Sequence, residues 1–224
     1  MGASEFPKYS VTFWAKTLFQ GQSSRNGDIK VIESFGERRL IAAGYTQSRN
    51  LNKKGLTGSY WDGFIQNIPS LGKDSRVLIL GLAGGTIAKL LTNKFGPIAI
   101  DGVEIDPLMV ELGKKFFDFK EKNVNIIVED ALKFVSDARY KYDLVAVDLF
   151  SHGAVAVGTE SEEFFIKVKK LVNSGGVVVI NKIFEDKAAL ERYMAFIDSI
   201  FTTSDVLLIR GSVRTDNVII YAYP

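Results

Sequence analysis

The sequence predicts an α/β protein built on a Rossmann-like, mostly parallel seven-stranded sheet whose last strand is antiparallel, with a small β-rich domain in front of it. Three observations predict this. From Arg76 onward, short apolar runs alternate with stretches that repeat at helical spacing. The last two apolar runs have no helix between them. Residues from about Tyr9 to Gln47 follow a period of two instead, the rhythm of short strands. The expected division is residues 1–70 for the β-rich part and 71–224 for the Rossmann-like part.

In the first part, Val11, Phe13 and Ala15 share one face of a strand, and Thr12, Trp14 and Lys16 share the other. Asp28 to Phe35 reads as a strand, Gly36-Glu37 as a turn, and Arg38 to Gly44 as the return strand. Ile29 to Ala43 is therefore a hairpin. Ile65 to Ile68 reads as the end of a short helix closed by Pro69. In the second part, Val77 to Leu80 is continuously apolar, as a strand covered on both faces must be. Thr86 to Phe95 is a helix, and Ile98 to Val103 is the next strand. Pro107 suits the first turn of a helix running to about Phe117. Asn125 to Val128 (strand), Ala131 to Ala138 (helix) and Leu144 to Val147 (strand) follow. After a loop with Gly153 and Gly158 come a helix over Ser161 to Leu171, a strand over Val177 to Ile180 and a helix over Asp186 to Phe201. Val206 to Ile209 and Val218 to Tyr223 close the chain, paired antiparallel through a polar turn at Arg214 to Asn217. Alternating strands and helices imply right-handed crossovers and a parallel sheet. A parallel sheet ending in an antiparallel strand is the methyltransferase-type layout.

Bulk properties exclude several functions. The chain has 224 residues and a net charge of +2. Residues 1–72 hold nine Lys and Arg against five Asp and Glu, too mild an excess for a nucleic-acid footprint. With no cysteine, a disulfide framework and a thiolate nucleophile are excluded. The single His152 cannot build a His-rich metal site, and no metal is expected. No apolar run is long enough to span a membrane, and no signal peptide is visible. The expected location is the cytoplasm.

In an open α/β sheet, ligands bind beyond the carboxyl ends of the strands. Four segments sit there. Gly81-Leu82-Ala83-Gly84-Gly85 lets the backbone turn sharply and approach a ligand, although a ligand-free turn would use the same residues. Glu104 lies 19 residues beyond Gly85, where an acid can accept two ribose hydroxyls. After it, Asp106 reads as a helix cap. Asp130, in Glu129-Asp130-Ala131, either accepts an adenine amino group or caps the following helix, and two oxygens allow both. Asp148, in Asp148-Leu149-Phe150, meets the transferred group or holds its own loop. A nicotinamide fingerprint would need glycines at 81, 83 and 86, where the chain has Gly81, Ala83 and Thr86. No P-loop occurs.

Together these segments resemble the spermidine synthase family, the polyamine aminopropyltransferases, within the wider S-adenosylmethionine-dependent methyltransferase group. The residues that carry the resemblance are Val77 to Gly85, Val103 to Pro107, Glu129 to Ala131, Asp148 to Phe150 and Gly175 to Asn181. Asp28 to Glu33, Arg39-Leu40 and Gly44 to Ser48 resemble that family's N-terminal β-domain. The resemblance implies a donor, S-adenosylmethionine or decarboxylated S-adenosylmethionine. Gly81, Ala83, Gly84, Gly85, Glu104, Ile105, Asp130 and Ala131 would bind that donor. Gln47, Tyr60 and Trp61 would line the acceptor side, and Asp148 would be the catalytic acid-base group. It also implies a homodimer and a small-molecule acceptor such as an amine. Four positions depart from the family: Ala83 and Ser151 stand where it carries Asp, His152 where it often carries Pro, and Trp61 where it often carries Gln. The nucleoside half of the site is kept while the polyamine half is rebuilt. The expected function is alkyl transfer, methyl or aminopropyl. True spermidine synthesis and non-catalytic nucleoside binding are the alternatives.

Overall fold

The computed structural model describes residues 15–151, 154–184, 186–209 and 216–224. Most of the strand expected over Val11 to Lys16, His152, Gly153 and most of the turn before Asn217 lie outside them, as does the side chain of Ser151.

Four antiparallel strands form the N-terminal sheet, in chain order: β1 (Lys16–Ser23), β2 (Gly27–Ser34), β3 (Glu37–Ala42) and β4 (Tyr45–Arg49). The β2–β3 turn is Phe35-Gly36, one residue earlier than expected. Both residues have positive φ, 51° and 79°, as a two-residue hairpin turn requires. Ala43-Gly44 repeats the device between β3 and β4. The expected helix end at Ile65 to Ile68 lies earlier, as a 3₁₀ turn over Tyr60–Ile65. Asp62 sets it by accepting from the Thr57 N–H and hydroxyl and from the Gly58 N–H. Asn67, with φ 47°, ends any continuation.

The second sheet is built from β5 (Arg76–Leu80), β6 (Ala99–Glu104), β7 (Val124–Val128), β8 (Tyr142–Val147), β11 (Val172–Phe184), β12 (Thr203–Ile209) and β13 (Asp216–Tyr223). Two short strands, β9 (Phe150–Ser151) and β10 (Ala154–Val155), pair beside it. The helices are α1 (Thr86–Phe95), α2 (Pro107–Phe116), α3 (Ala131–Asp137), α4 (Glu162–Lys170) and α5 (Lys187–Ile200). The seven strands run in the order β12-β13-β11-β8-β5-β6-β7. The last strand does not close an edge. It inserts between β11 and β12, antiparallel to both, and leaves β12 outermost.

Alternation within the apolar strands explains the layers. Val77 and Ile79 point into a cluster with Leu90 and Leu91 of α1 and with Trp61 and Phe64 of the 3₁₀ turn. Leu78 and Leu80 point the other way, onto Val135, Phe165 and Ile197 of α3, α4 and α5. Helix α2 works on two sides. Its Val110 joins the first cluster, while Met109 and Leu112 pack against Ile29, Val31 and Leu40 of the N-terminal sheet. That shared helix fixes the small sheet beside the carboxyl ends of β5 and β6.

Candidate active site

A cavity of about 430 Å³ opens at the carboxyl ends of β5, β6, β7 and β8. Its size suits a nucleoside-sized ligand. Gln47, Gly81, Ala83, Glu104, Ile105, Asp130, Ala131 and Asp148 all line it. Gly84 and Gly85 stand behind the wall. The Gly84 N–H donates to the Ser48 hydroxyl at 2.8 Å, and a Cβ on Gly85 would lie 2.6 Å from the Phe119 ring. Within the loop, Gly81 is the most tightly confined glycine: its φ is 91°, and a Cβ would sit 2.2 Å from the Asp148 carbonyl oxygen.

Glu104 ends β6 with its carboxylate buried. One oxygen accepts the Ala83 N–H at 2.7 Å and the other the Asp106 N–H at 2.9 Å. Burial raises its pKa, and those backbone donors oppose the rise. Each oxygen keeps a free lone pair for a ligand hydroxyl. Beside it, Ile105 is 36% exposed, an apolar surface offered to the cavity. Asp130 caps α3 through the Leu132 N–H at 2.7 Å. Its other oxygen has no hydrogen bond among the described residues, so capping leaves a ligand role open.

Asp148 follows β8. Asn181 on β11 donates to one oxygen at 2.8 Å, and the Tyr60 hydroxyl donates to the other at 3.3 Å. Asn217 on β13 donates to the Asn181 oxygen at 3.0 Å and so fixes which way that amide faces. Burial pushes the Asp148 carboxyl up to about 6, against the pull of hydrogen bonds from Asn181, Tyr60 and Trp61. Tyr60 is raised well above its ordinary value, first by burial and then by the Asp148 charge. Trp61 stacks on Tyr60 with ring centroids 4.2 Å apart. Neither aromatic ring lines the cavity directly; they reach it through Asp148.

The sequence reading missed Arg25, Asn26, Leu132, Val157 and Thr159 as lining residues. Arg25 and Asn26 sit at the tip of the β1–β2 hairpin, where Asn26-Gly27 is a turn signal. What pins that tip here is distant: Ser23 and Asn26 donate to Asp106 at 2.5 and 2.7 Å. Val157, 95% exposed, presents an apolar side chain at the cavity mouth.

With this geometry in hand, a family model described as the spermine/spermidine synthase domain matches residues 64–209. The chain belongs to that family. It is 29% identical over 180 residues to a "Probable polyamine aminopropyl transferase" of Bifidobacterium longum, covering 78% of this chain and 40% of that protein. It is also 26% identical over 152 residues to the human "eEF1A lysine and N-terminal methyltransferase", covering 62% of this chain and 22% of that one. The chain thus spans about 40% of the length of the polyamine relative. Among solved structures, a probable spermidine synthase from Corynebacterium glutamicum superposes with a TM-score of 0.75 at 18% identity, covering 93% of this chain and 79% of that one. Human methyltransferase-like protein 13 in complex with SAH gives 0.60 at 24% identity, covering 73% and 78%. At these identities the superpositions establish the shared fold. The family's members and its neighbours therefore include both aminopropyl and methyl transferases.

Proposed function

We propose that this domain transfers an alkyl group, methyl or aminopropyl, from S-adenosylmethionine or its decarboxylated form to the nitrogen of an acceptor. The observation that carries this reading is Glu104: a buried carboxylate at the cavity floor whose oxygens are each half-used by backbone donors. Its backbone donors fix both oxygens in place, and each oxygen keeps a lone pair that a ligand hydroxyl can use. The other residues present also suit an adenosyl donor. Ile105 and Leu132 offer apolar contact to a base, the free oxygen of Asp130 can accept an amino group, and Gly81 and Ala83 leave room beyond the ribose.

When bound, such a donor supplies a carbon activated by an adjacent sulfonium: a C–N bond forms as the C–S bond breaks, and the electron pair stays on sulfur as a thioether. The chain's own residues supply alignment and a proton acceptor. Asp148 takes the proton that the nitrogen releases. Its raised value leaves it ionised at neutral pH yet more basic than a surface aspartate. Tyr60 and Asn181 hold its two oxygens in place, and Gln47 stands on the acceptor side. Thermal-shift assays with S-adenosylmethionine, its decarboxylated form, 5′-methylthioadenosine and NAD test the reading. Stabilisation by the adenosyl sulfur compounds but not by NAD is expected. No stabilisation by any of them would refute it.

A further inference from the structure

Two side-chain amides stand where the strand pattern calls for apolar residues. On β11, Val177, Val179 and Asn181 share one face, and both valines are fully buried in the cluster that holds Trp61 and Phe64. On β13, Asn217, Ile219 and Tyr221 share the same face, and Ile219 and Tyr221 lie in that cluster. The register pairs Asn181 with Ile219 and Ile183 with Asn217, so the two amides are diagonal neighbours. Asn181 is only 3% exposed. An amide in such a place is costly unless its hydrogen bonds are made, whereas valine would extend the cluster and suit the strand.

The amides form a chain that ends on Asp148. Asn217 donates to the Asn181 oxygen at 3.0 Å, and Asn181 donates to Asp148 at 2.8 Å. An ionised carboxylate only accepts, so Asn181 must turn its NH₂ toward it. The Asn181 oxygen then needs a donor on its far side, and among the described residues Asn217 is the one that supplies it. Strand β13 steadies the second arm as well. The Tyr221 hydroxyl donates to the Gly63 carbonyl at 2.8 Å, and a Cβ on Gly63 would lie 2.6 Å from Ile219. The 3₁₀ turn that bears Tyr60 is therefore seated on β13. The remaining groups around Asp148 leave the donor role to the amides. Tyr60 and Trp61 face it from the 3₁₀ turn, and Arg49 on β4 acts on Tyr60. Lys182, next to Asn181, turns to the opposite face and pairs with Glu160. Glu104 shares the cavity but holds the Ala83 and Asp106 N–H groups, and from β5 Gly81 brings only backbone.

We infer that Asn217 is a positioning residue for the proton-accepting carboxylate: by donating to Asn181 it keeps that amide's NH₂ on Asp148 and so favours the ionised form that the transfer uses. This rests on the alkyl-transferase reading. An acceptor at position 217 would have the opposite effect. Asn181 would turn over, set its oxygen against Asp148 and favour the protonated acid.

Asn217→Asp makes that exchange at nearly constant size. NMR titration of the aspartate carboxyl carbons reads it in the protein without ligands, the Asp148 signal being assigned by its loss in Asp148→Asn. The wild-type signal should titrate near 6. Asn217→Asp should hold the Asp148 proton about tenfold more tightly or better, a rise of about one unit. A new carboxylate also acts through space, so the same substitution is made in an Asn181→Leu background. There the rise should shrink to about a third of a unit or less, because the link through the amide is gone. If Asn217→Asp does not fold, Asn217→Leu takes its place: it removes the donor without adding charge, and a rise of about half a unit is expected that vanishes in the Asn181→Leu background. An Asp148 signal that does not move, or that moves as far without Asn181 as with it, overturns the inference. Failure of the adenosyl compounds to stabilise the protein is a separate result. It would overturn the transferase reading, while the titrations would still decide whether Asn217 controls this carboxylate.

Discussion

Asp148 sits where its own charge is disfavoured, and this has consequences for both stability and rate. Its carboxyl is raised from the ordinary 3.8 to about 6, chiefly by burial. The folded protein therefore binds this proton more tightly than the unfolded chain does. The stability the group contributes is fully present below its ordinary value and is lost as pH rises toward 6. Asp148→Asn should accordingly be more stable than wild type above pH 6, by about 1–3 kcal/mol, and should gain little at pH 4. Urea melts at the two pH values check this, and equal effects at both would contradict it. The same variant should lose about 10²–10⁴ in transfer rate, and the rise of wild-type kcat/KM through pH 6 should disappear with it. At this scale the sequence reveals acids that end apolar strands, because such an end has one place in an α/β sheet. Glu104, Asp130 and Asp148 are legible for that reason, and all three line the cavity. Asn181 and Asn217 are not. They lie 33 residues beyond Asp148 and 36 beyond Asn181, and only the sheet order brings them together.

Helix ends were readable at the scale of elements because the caps are local. Asp106, Asp130, Ser161 and Asp186 each accept a backbone N–H two or three residues on, and the helices start where those residue types predict. The 3₁₀ turn was misplaced because Asp62 organises it from inside, through Thr57 and Gly58, rather than from a capping position. Gly81 links element to site, since β5 and β8 approach backbone to backbone at that residue. Gly81→Ala should destabilise the fold by about 2–4 kcal/mol, from the clash with the Asp148 carbonyl together with the positive φ. It should also depress nucleoside affinity, whereas Gly36→Ala, strained at φ 79° but with open space around it, should cost only about 1 kcal/mol and leave affinity unchanged. Thermal melts with and without nucleoside separate the two. The hairpin tip carries a further expectation. Replacing Ser23 and Asn26 by alanine frees the tip from Asp106 and should weaken nucleoside binding severalfold while α2 stays capped through the Leu108 N–H.

Across the whole molecule, two sheets share α2, so the small sheet contributes Gln47, Arg25 and Asn26 to a cavity floored by the large one. The alternating strand and helix rhythm made the parallel sheet legible. The insertion of β13 between β11 and β12 was not legible, because adjacent antiparallel strands read the same whichever of them lies outermost. A homodimer, proposed from the family resemblance and from the edge positions of β1 and β12 among the described strands, should appear in light scattering as twice the 24.8 kDa chain. The central claim is that Glu104 makes this cavity an adenosyl site. Calorimetric titration of S-adenosylhomocysteine and 5′-methylthioadenosine into wild type and Glu104→Ala tests it most directly. The account predicts saturable binding to wild type, weakened about tenfold or more in the variant. Equal binding to both proteins, or none to wild type, would contradict it.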